Sequence, residues 1–231
     1  MLSLLPIVLA LASADPAPSP SASAKPTPLT EIGRVRAIPV CTPIVVHANG
    51  AITTTLDNNR ALSIMTTNLR NVDFDKLNEI QRRNAIDALD KQASQVRLNA
   101  KAADQEVKRL RELALASPDP ARKAELKAFA DAIGGAIYRQ QKAAAEVMRD
   151  IVIMQGRADA QEARRIKDRD NPPPDSGGSS MYQNRAAMPP PPARLNDAMR
   201  SIANDLDDRT SAIMADEGIA ADHSIAATSG C

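Results

Sequence analysis

The side chains that chemistry usually needs are few and widely spaced in this chain. His47 and His223 are the only imidazoles, so a general base or a metal ligand of that type must be one of these two. Asp222, His223 and Ser224 place the residue types of a hydrolase triad side by side. A triad, however, is assembled in space from separate segments and backed by an oxyanion site, and neighbours in a small, polar stretch do not meet that condition. Cys41, Cys231, His47 and His223 are the ligand types of a zinc site if the two ends of the chain meet. A bond between the two cysteines would remove half of that set. The chain has no His-Glu-x-x-His, Cys-x-x-Cys or calcium-loop spacing, no Glu-x-x-His pair and no haem attachment motif. Gly134-Gly135 is flanked by helix-forming sequence and follows no strand, which is the wrong context for a phosphate loop. The expectation is a protein that is not an enzyme, with no catalytic residue, no metal and no cofactor.

Charge points the same way. The 29 basic and 28 acidic residues leave a formal net charge of +1, and aromatic residues make up 2% of the chain (Phe74, Phe129, Tyr138, Tyr182). Lys108, Arg109 and Arg111 are interleaved with Glu106 and Glu112, with no aromatic residue to stack on a base. That pattern is a solvated helix flank and gives no case for nucleic acid.

Residues 1–14 (MLSLLPIVLALASA) form an apolar run ending in Ala12-Ser13-Ala14, which reads as a secretory signal peptide without the usual basic start. The run is too short to span a bilayer, and no transmembrane segment is expected after its removal. An exported chain meets an oxidising compartment. Cys41 and Cys231 are therefore expected to form a disulfide, with an intermolecular bond or free thiols as the alternatives. The implied location is periplasmic or extracellular.

Any function must then rest on the elements themselves. Residues 73–170 read as two long amphipathic helices folded back on each other. In the first, Ile86, Leu89, Ala93, Val96, Ala100, Ala103, Val107, Leu110 and Ala114 recur at spacings of three and four, a heptad seam that a strand cannot produce. In the second, Leu126, Ala130, Ile133, Ile137, Gln140, Ala144, Val147, Ile151, Met154 and Ala158 repeat the rule, and only Gln140 breaks the stripe. A lone polar residue on a seam either fixes register or lies at its edge. Between the helices, Ser117-Pro118-Asp119-Pro120 is a turn. Pro118 cannot continue a helix, Asp119 can cap the next, and Pro120 fits a first helical position. The Ala-rich seams bury little area each, so the hairpin is expected to need a third helix or a second chain. Gly134 and Gly135 mark a possible kink or a close helix contact.

The rest is arranged around that hairpin. Residues 15–40 are a Pro/Ala/Ser-rich linker, unordered up to about 30. Residues 42–71 read either as a helix, started by Thr42 and Pro43, or as a β-hairpin turning at Asn49-Gly50. Helix is the preferred reading because no third strand is in sight. Its phase, carried by Leu62, Met65, Leu69 and Val72, slips before Ile86, which puts a bend at 71–76 with Asp73 able to cap a new helix. A Pro-rich linker follows at 171–192, then a C-terminal helix at 193–217 and a loose tail at 218–231 ending in Cys231.

The fold class expected is all-α: an elongated, coiled-coil-like antiparallel hairpin with added N- and C-terminal helices, the body occupying 41–170. The function expected is that of an exported structural or protein-interaction protein of the cell envelope or extracellular space. It would act on a protein partner or by self-association along the seams. A ligand-binding or chaperone-like helical module and a membrane-active amphipathic protein are the two alternatives.

Overall fold

The computed structural model describes residues 27–33, 39–170, 194–229 and 231. The expected signal peptide at 1–14, most of the expected linker at 15–40 and the expected linker at 171–192 lie outside the described residues. Four helices carry the fold: α1 (Cys41–Asn71), α2 (Glu79–Ala116), α3 (Pro120–Asp170) and α4 (Leu195–Ala227).

Residues 41–71 are helical throughout, so the Asn49-Gly50 pair turns no hairpin. Gly50 has a packing reason to be glycine. A Cβ there would lie 3.0 Å from Cδ of Glu106, whose side chain crosses this point of α1. The bend after α1 extends to residue 78. Asn78, and not Asp73, caps α2: its side chain accepts from the Gln81 amide, and the Gln81 side chain accepts from the Asn78 amide. This reciprocal pair satisfies two amides that the first helical turn leaves free. Asp73 and Asp75 are instead turned toward α4. Asp75 accepts from the Leu195 amide at 2.9 Å, supplying the cap that Arg194 does not, and Asn196 donates to Asp73 at 2.7 Å. Hydrogen bonds from Lys76 first, and then from Asn196, hold the Asp73 carboxyl below its usual range.

At the expected turn, Asp119 accepts from the Ala121 amide at 3.0 Å and starts α3. α3 then runs 51 residues, about 77 Å at 1.5 Å per residue, unbroken through Gly134 and Gly135. Gly134 serves close packing: a Cβ there would sit 3.3 Å from Cγ1 of Val107 on α2.

The antiparallel α2–α3 pair and the N- and C-terminal helices are all present, and they pack together. The four helices pack into a bundle in which α1 touches α2, α4 and, across the diagonal, α3, while α2 and α4 do not meet. Every neighbouring pair is antiparallel, as the cross-links show. On α1 and α2, His47 meets Glu106 and Asn58 meets Asn99. On α2 and α3, Arg82 meets Asp159 and Arg111 meets Asp131. On α3 and α4, Glu125 meets His223 and Glu146 meets Arg209. On α1 and α4, Asn59 meets Glu217 and Arg70 meets Asp207.

The Ala-rich seams are therefore covered within one chain. Just past the α2–α3 turn, Arg122 donates to the Ser229 carbonyl. The C-terminal helix also runs ten residues beyond the expected end at 217. Ala220, Ala221, Ser224 and Ala227 are buried there. Residues 27–33 lie against the bundle: Leu29 is buried, and Asn49 bonds both the amide (2.7 Å) and the carbonyl (3.1 Å) of Ile32.

Candidate functional site

The bundle has two apolar clusters, and a polar layer passes between them. One cluster gathers Leu62, Met65, Leu69, Phe74, Leu89, Val147, Ile151, Met199 and Leu206. The other gathers Ile44, Ile52, Val107, Leu110, Leu126, Phe129, Ile133 and Ile137. Of the seam residues, Leu89, Ala93, Val96, Ala100, Ala103, Val107 and Leu110 on α2, and Leu126, Ile133, Ile137, Val147 and Ile151 on α3, are buried. Ile86 and Met154 are half-buried at the edge of the first cluster. At the turn, Ser117 is half-buried, and Pro118, Asp119 and Pro120 are exposed.

The layer draws a residue from every helix. Asn58 (α1), Gln140 (α3) and Glu217 (α4) are buried, and Asn59 (α1) and Asn99 (α2) are half-buried. Their hydrogen bonds run in one direction. Gln95 donates to Asn99 Oδ1 (2.7 Å), Asn99 to Asn58 Oδ1 (3.0 Å), and Asn58 to Gln140 Oε1 (2.9 Å). Gln140 Nε2 then lies within reach of three acceptors: Asn59 Oδ1 at 2.8 Å, the Thr55 carbonyl at 3.0 Å and Glu217 Oε1 at 3.1 Å. Asn59 Nδ2 completes the chain on both carboxylate oxygens of Glu217, at 3.0 and 2.9 Å. Amides aligned head to tail polarise one another, and a low local dielectric strengthens each bond. The sum of their dipoles ends on Glu217. Burial raises the Glu217 carboxyl above its ordinary value of 4.5; the bonds from Asn59 and Gln140 oppose that rise without cancelling it, and nearby Asp216 adds to it.

The two histidines stand apart from this layer. His47 Nδ1 is 2.6 Å from Glu106 Oε2 across α1 and α2, and His223 Nδ1 is 2.7 Å from Glu125 Oε2 across α3 and α4. The Ser224 hydroxyl donates to the Ala221 carbonyl, so the neighbours Asp222, His223 and Ser224 are not brought together as a triad. Cys41 and Cys231 are bonded to each other with Cα atoms 5.6 Å apart, which removes both thiols from any zinc set. Among the described residues no group of three or more His, Cys, Asp or Glu is placed to hold a metal ion. None of the described helices is long and apolar enough to cross a membrane.

Sequence reasoning found Gln140 but not its partners. Asn58 and Glu217 lie 82 and 77 residues from it, and nothing local couples them. Their one visible signal was an uncompensated polar residue inside an otherwise apolar period. No protein-family model matches the chain, and neither a curated protein nor a solved structure matches it.

Proposed function

We propose that the protein is an exported, non-enzymatic helical protein that holds a protein partner against its surface in the cell envelope or outside the cell. The observation that carries this reading is the outward face of α1. Val46 and Ile64, 18 residues and so five helical turns apart, share one exposed line. Exposed Leu56 flanks it, and Thr42, Thr53 and Thr67 are also exposed on this side. Asp57, Arg60 and Arg70 are the only Asp, Glu, Lys or Arg residues in α1, and of these the exposed Asp57 and Arg60 fall on this side, opposite in charge. The outer side of α2 is by contrast studded with Lys91, Arg97, Lys101, Asp104, Lys108 and Arg109, all exposed. A poorly charged, partly apolar face on an otherwise charged bundle is the composition of a protein-binding surface. The Cys41–Cys231 disulfide accords with life in an oxidising compartment.

Photo-crosslinking side chains placed at 46 and 64 on α1, and at 91 and 101 on α2, test the reading in cells that make the full chain. Positions 46 and 64 are expected to give the same discrete adduct and positions 91 and 101 none. Adducts of equal yield at all four positions, or at none, would count against it.

One observation favours a ligand-binding or chaperone-like reading as second. A shallow cavity of about 290 Å³ lies between α3 and α4, lined by Ala143, Ala212 and Ile213 together with Arg139, Lys142, Glu146 and Arg209. Saturable uptake of an apolar dye by the folded protein, abolished by Ala212→Glu, is the result that this reading requires.

A further inference from the structure

We propose that the groove between α1 and α4, at the disulfide end of the bundle, docks a non-helical segment of a partner protein with apolar residues three apart, and that residues 27–33 fill it as a tethered stand-in. The groove is a separate surface from the line of Val46 and Ile64, and the inference does not rest on that reading.

The segment is neither helix nor strand, yet it is held at Leu29, Glu31 and Ile32. Leu29 is 7% exposed and joins the cluster of Ile44, Ala48, Ile52, Ala221 and Ala227, on which Ile32 also packs. Asn49 of α1 takes both main-chain groups of Ile32, accepting from its amide at 2.7 Å and donating to its carbonyl at 3.1 Å. Thr53, one turn further on, donates to Glu31 at 2.9 Å. A side chain that bonds the amide and the carbonyl of one residue does what a neighbouring strand does. In a helix those two groups point opposite ways along the axis, so the pair of bonds selects a non-helical chain. Main-chain bonds are indifferent to sequence, and the apolar contacts at the two positions three apart supply the choice.

Two features mark the segment as an occupant of the groove. It precedes Cys41, so all four helices and both cysteines lie in the chain after it. It also underfills the space. A cavity of about 380 Å³ remains between the segment and α4, lined on the helix by Ala221, Ser224, Ile225 and Thr228. Ile225 is 64% exposed. Gly33 stands on the wall of this cavity, with nothing within 4 Å of where a Cβ would lie. A partner segment that brings an apolar side chain to this position finds room for it and removes more surface from water.

Attachment explains why a loosely fitting segment holds the site. Gly33 precedes Cys41 by only eight positions. A ligand on so short a connection acts at an effective concentration on the order of millimolar. A partner segment therefore has to fit better than the stand-in to displace it.

The test uses the oxidised full chain, the same chain with Leu29→Asp and Ile32→Asp to free the groove, and a synthetic peptide of residues 27–33 as the probe. In nitrogen-15 NMR the peptide is expected to shift the Asn49 side-chain amide and the backbone amides of 221–228 of the freed chain, saturably. The parent, its groove already filled, is expected to need at least about tenfold more peptide. A peptide carrying the same two aspartates is expected to move nothing. Asn49→Ala added to the freed chain is expected to weaken binding, read at 221–228, by about tenfold, as two lost hydrogen bonds imply. No saturable shift in the freed chain, or equal binding by the parent, by the altered peptide or after Asn49→Ala, would overturn the proposal. Loss of helical circular dichroism in the freed chain would also overturn it, by making the segment part of the core. Light scattering separates the remaining occupant. A concentration-dependent dimer of the parent that the freed chain does not form would give the groove to the segment of a second copy and overturn its assignment to a partner.

Discussion

Gln140 is the residue on which the middle of the molecule turns, because one side chain touches α1 and α4 directly and α2 through Asn58. Gln140→Leu has nearly the right volume for the seam and the wrong chemistry. It leaves the Asn58 amide without its acceptor and takes a donor from Glu217. An unsatisfied buried polar group costs about 1–3 kcal/mol. The variant is therefore expected to lower the urea midpoint by that order at neutral pH, with an unchanged slope. A double variant that also replaces Asn58 with Leu is expected to lose less than the sum of the two single changes, since it removes donor and acceptor together. The sequence showed Gln140 as the single break in an apolar stripe and left open whether it was a register device or an edge. What it lacked was the tertiary pairing. Asn58 and Asn59 carried no signal of their own, and Glu217 read as the last turn of a helix. A polar side chain discloses its partner only once distant helices are in contact.

Helices declare themselves by period, and here the clarity of the period follows the contrast between faces. On α2 and α3 the buried and charged positions alternate sharply, and the seam could be read residue by residue. On α1 the outer face carries few charges, Asp57 and Arg60 among them, so the period is blurred and Asn49-Gly50 looked like a turn. On α4 the small residues after Gly218 looked like a loose tail, although they continue the helix and several of them are buried. The paired glycines of α3 allow a test at this scale. Gly135→Ala meets only the end of the Arg139 side chain, at 3.8 Å, and is expected to raise stability by up to about 1 kcal/mol through helix propensity. Gly134→Ala gains the same propensity but presses on Val107, so its melting temperature is expected to fall below that of Gly135→Ala. The cap on α4 is a second test. Asp75→Ala removes the acceptor for the Leu195 amide and is expected to cost about 1 kcal/mol in thermal or urea unfolding.

At the scale of the whole molecule, the hairpin was expected to need a third helix or a second chain, and the added N- and C-terminal helices of the same chain meet that need. The seams are narrow in area, and both α1 and α4 are used to cover them. The disulfide spans a separation of 190 residues. In the chain-entropy model, a loop of that size restricts the unfolded state by roughly 5 kcal/mol, the upper end of what disulfides deliver. Replacing Cys41 and Cys231 together with Ser is expected to lower stability by about 2–5 kcal/mol, read as a shift of the urea midpoint. The helical circular dichroism of the folded state should be retained, because the packing of α1 against α4 does not depend on the bond.

The same bond gives the body the topology of a covalent ring, with Cys41 opening α1 and Cys231 lying just past the end of α4. A protease that cuts once anywhere between them releases nothing. The two fragments stay joined through sulfur, and the cut molecule keeps the mass of the intact one, gaining only a water, until a reductant is added. Cleavage within 171–193 thus yields a two-chain form with all four helices retained. Such a form is invisible on a non-reducing gel and plain on a reducing one.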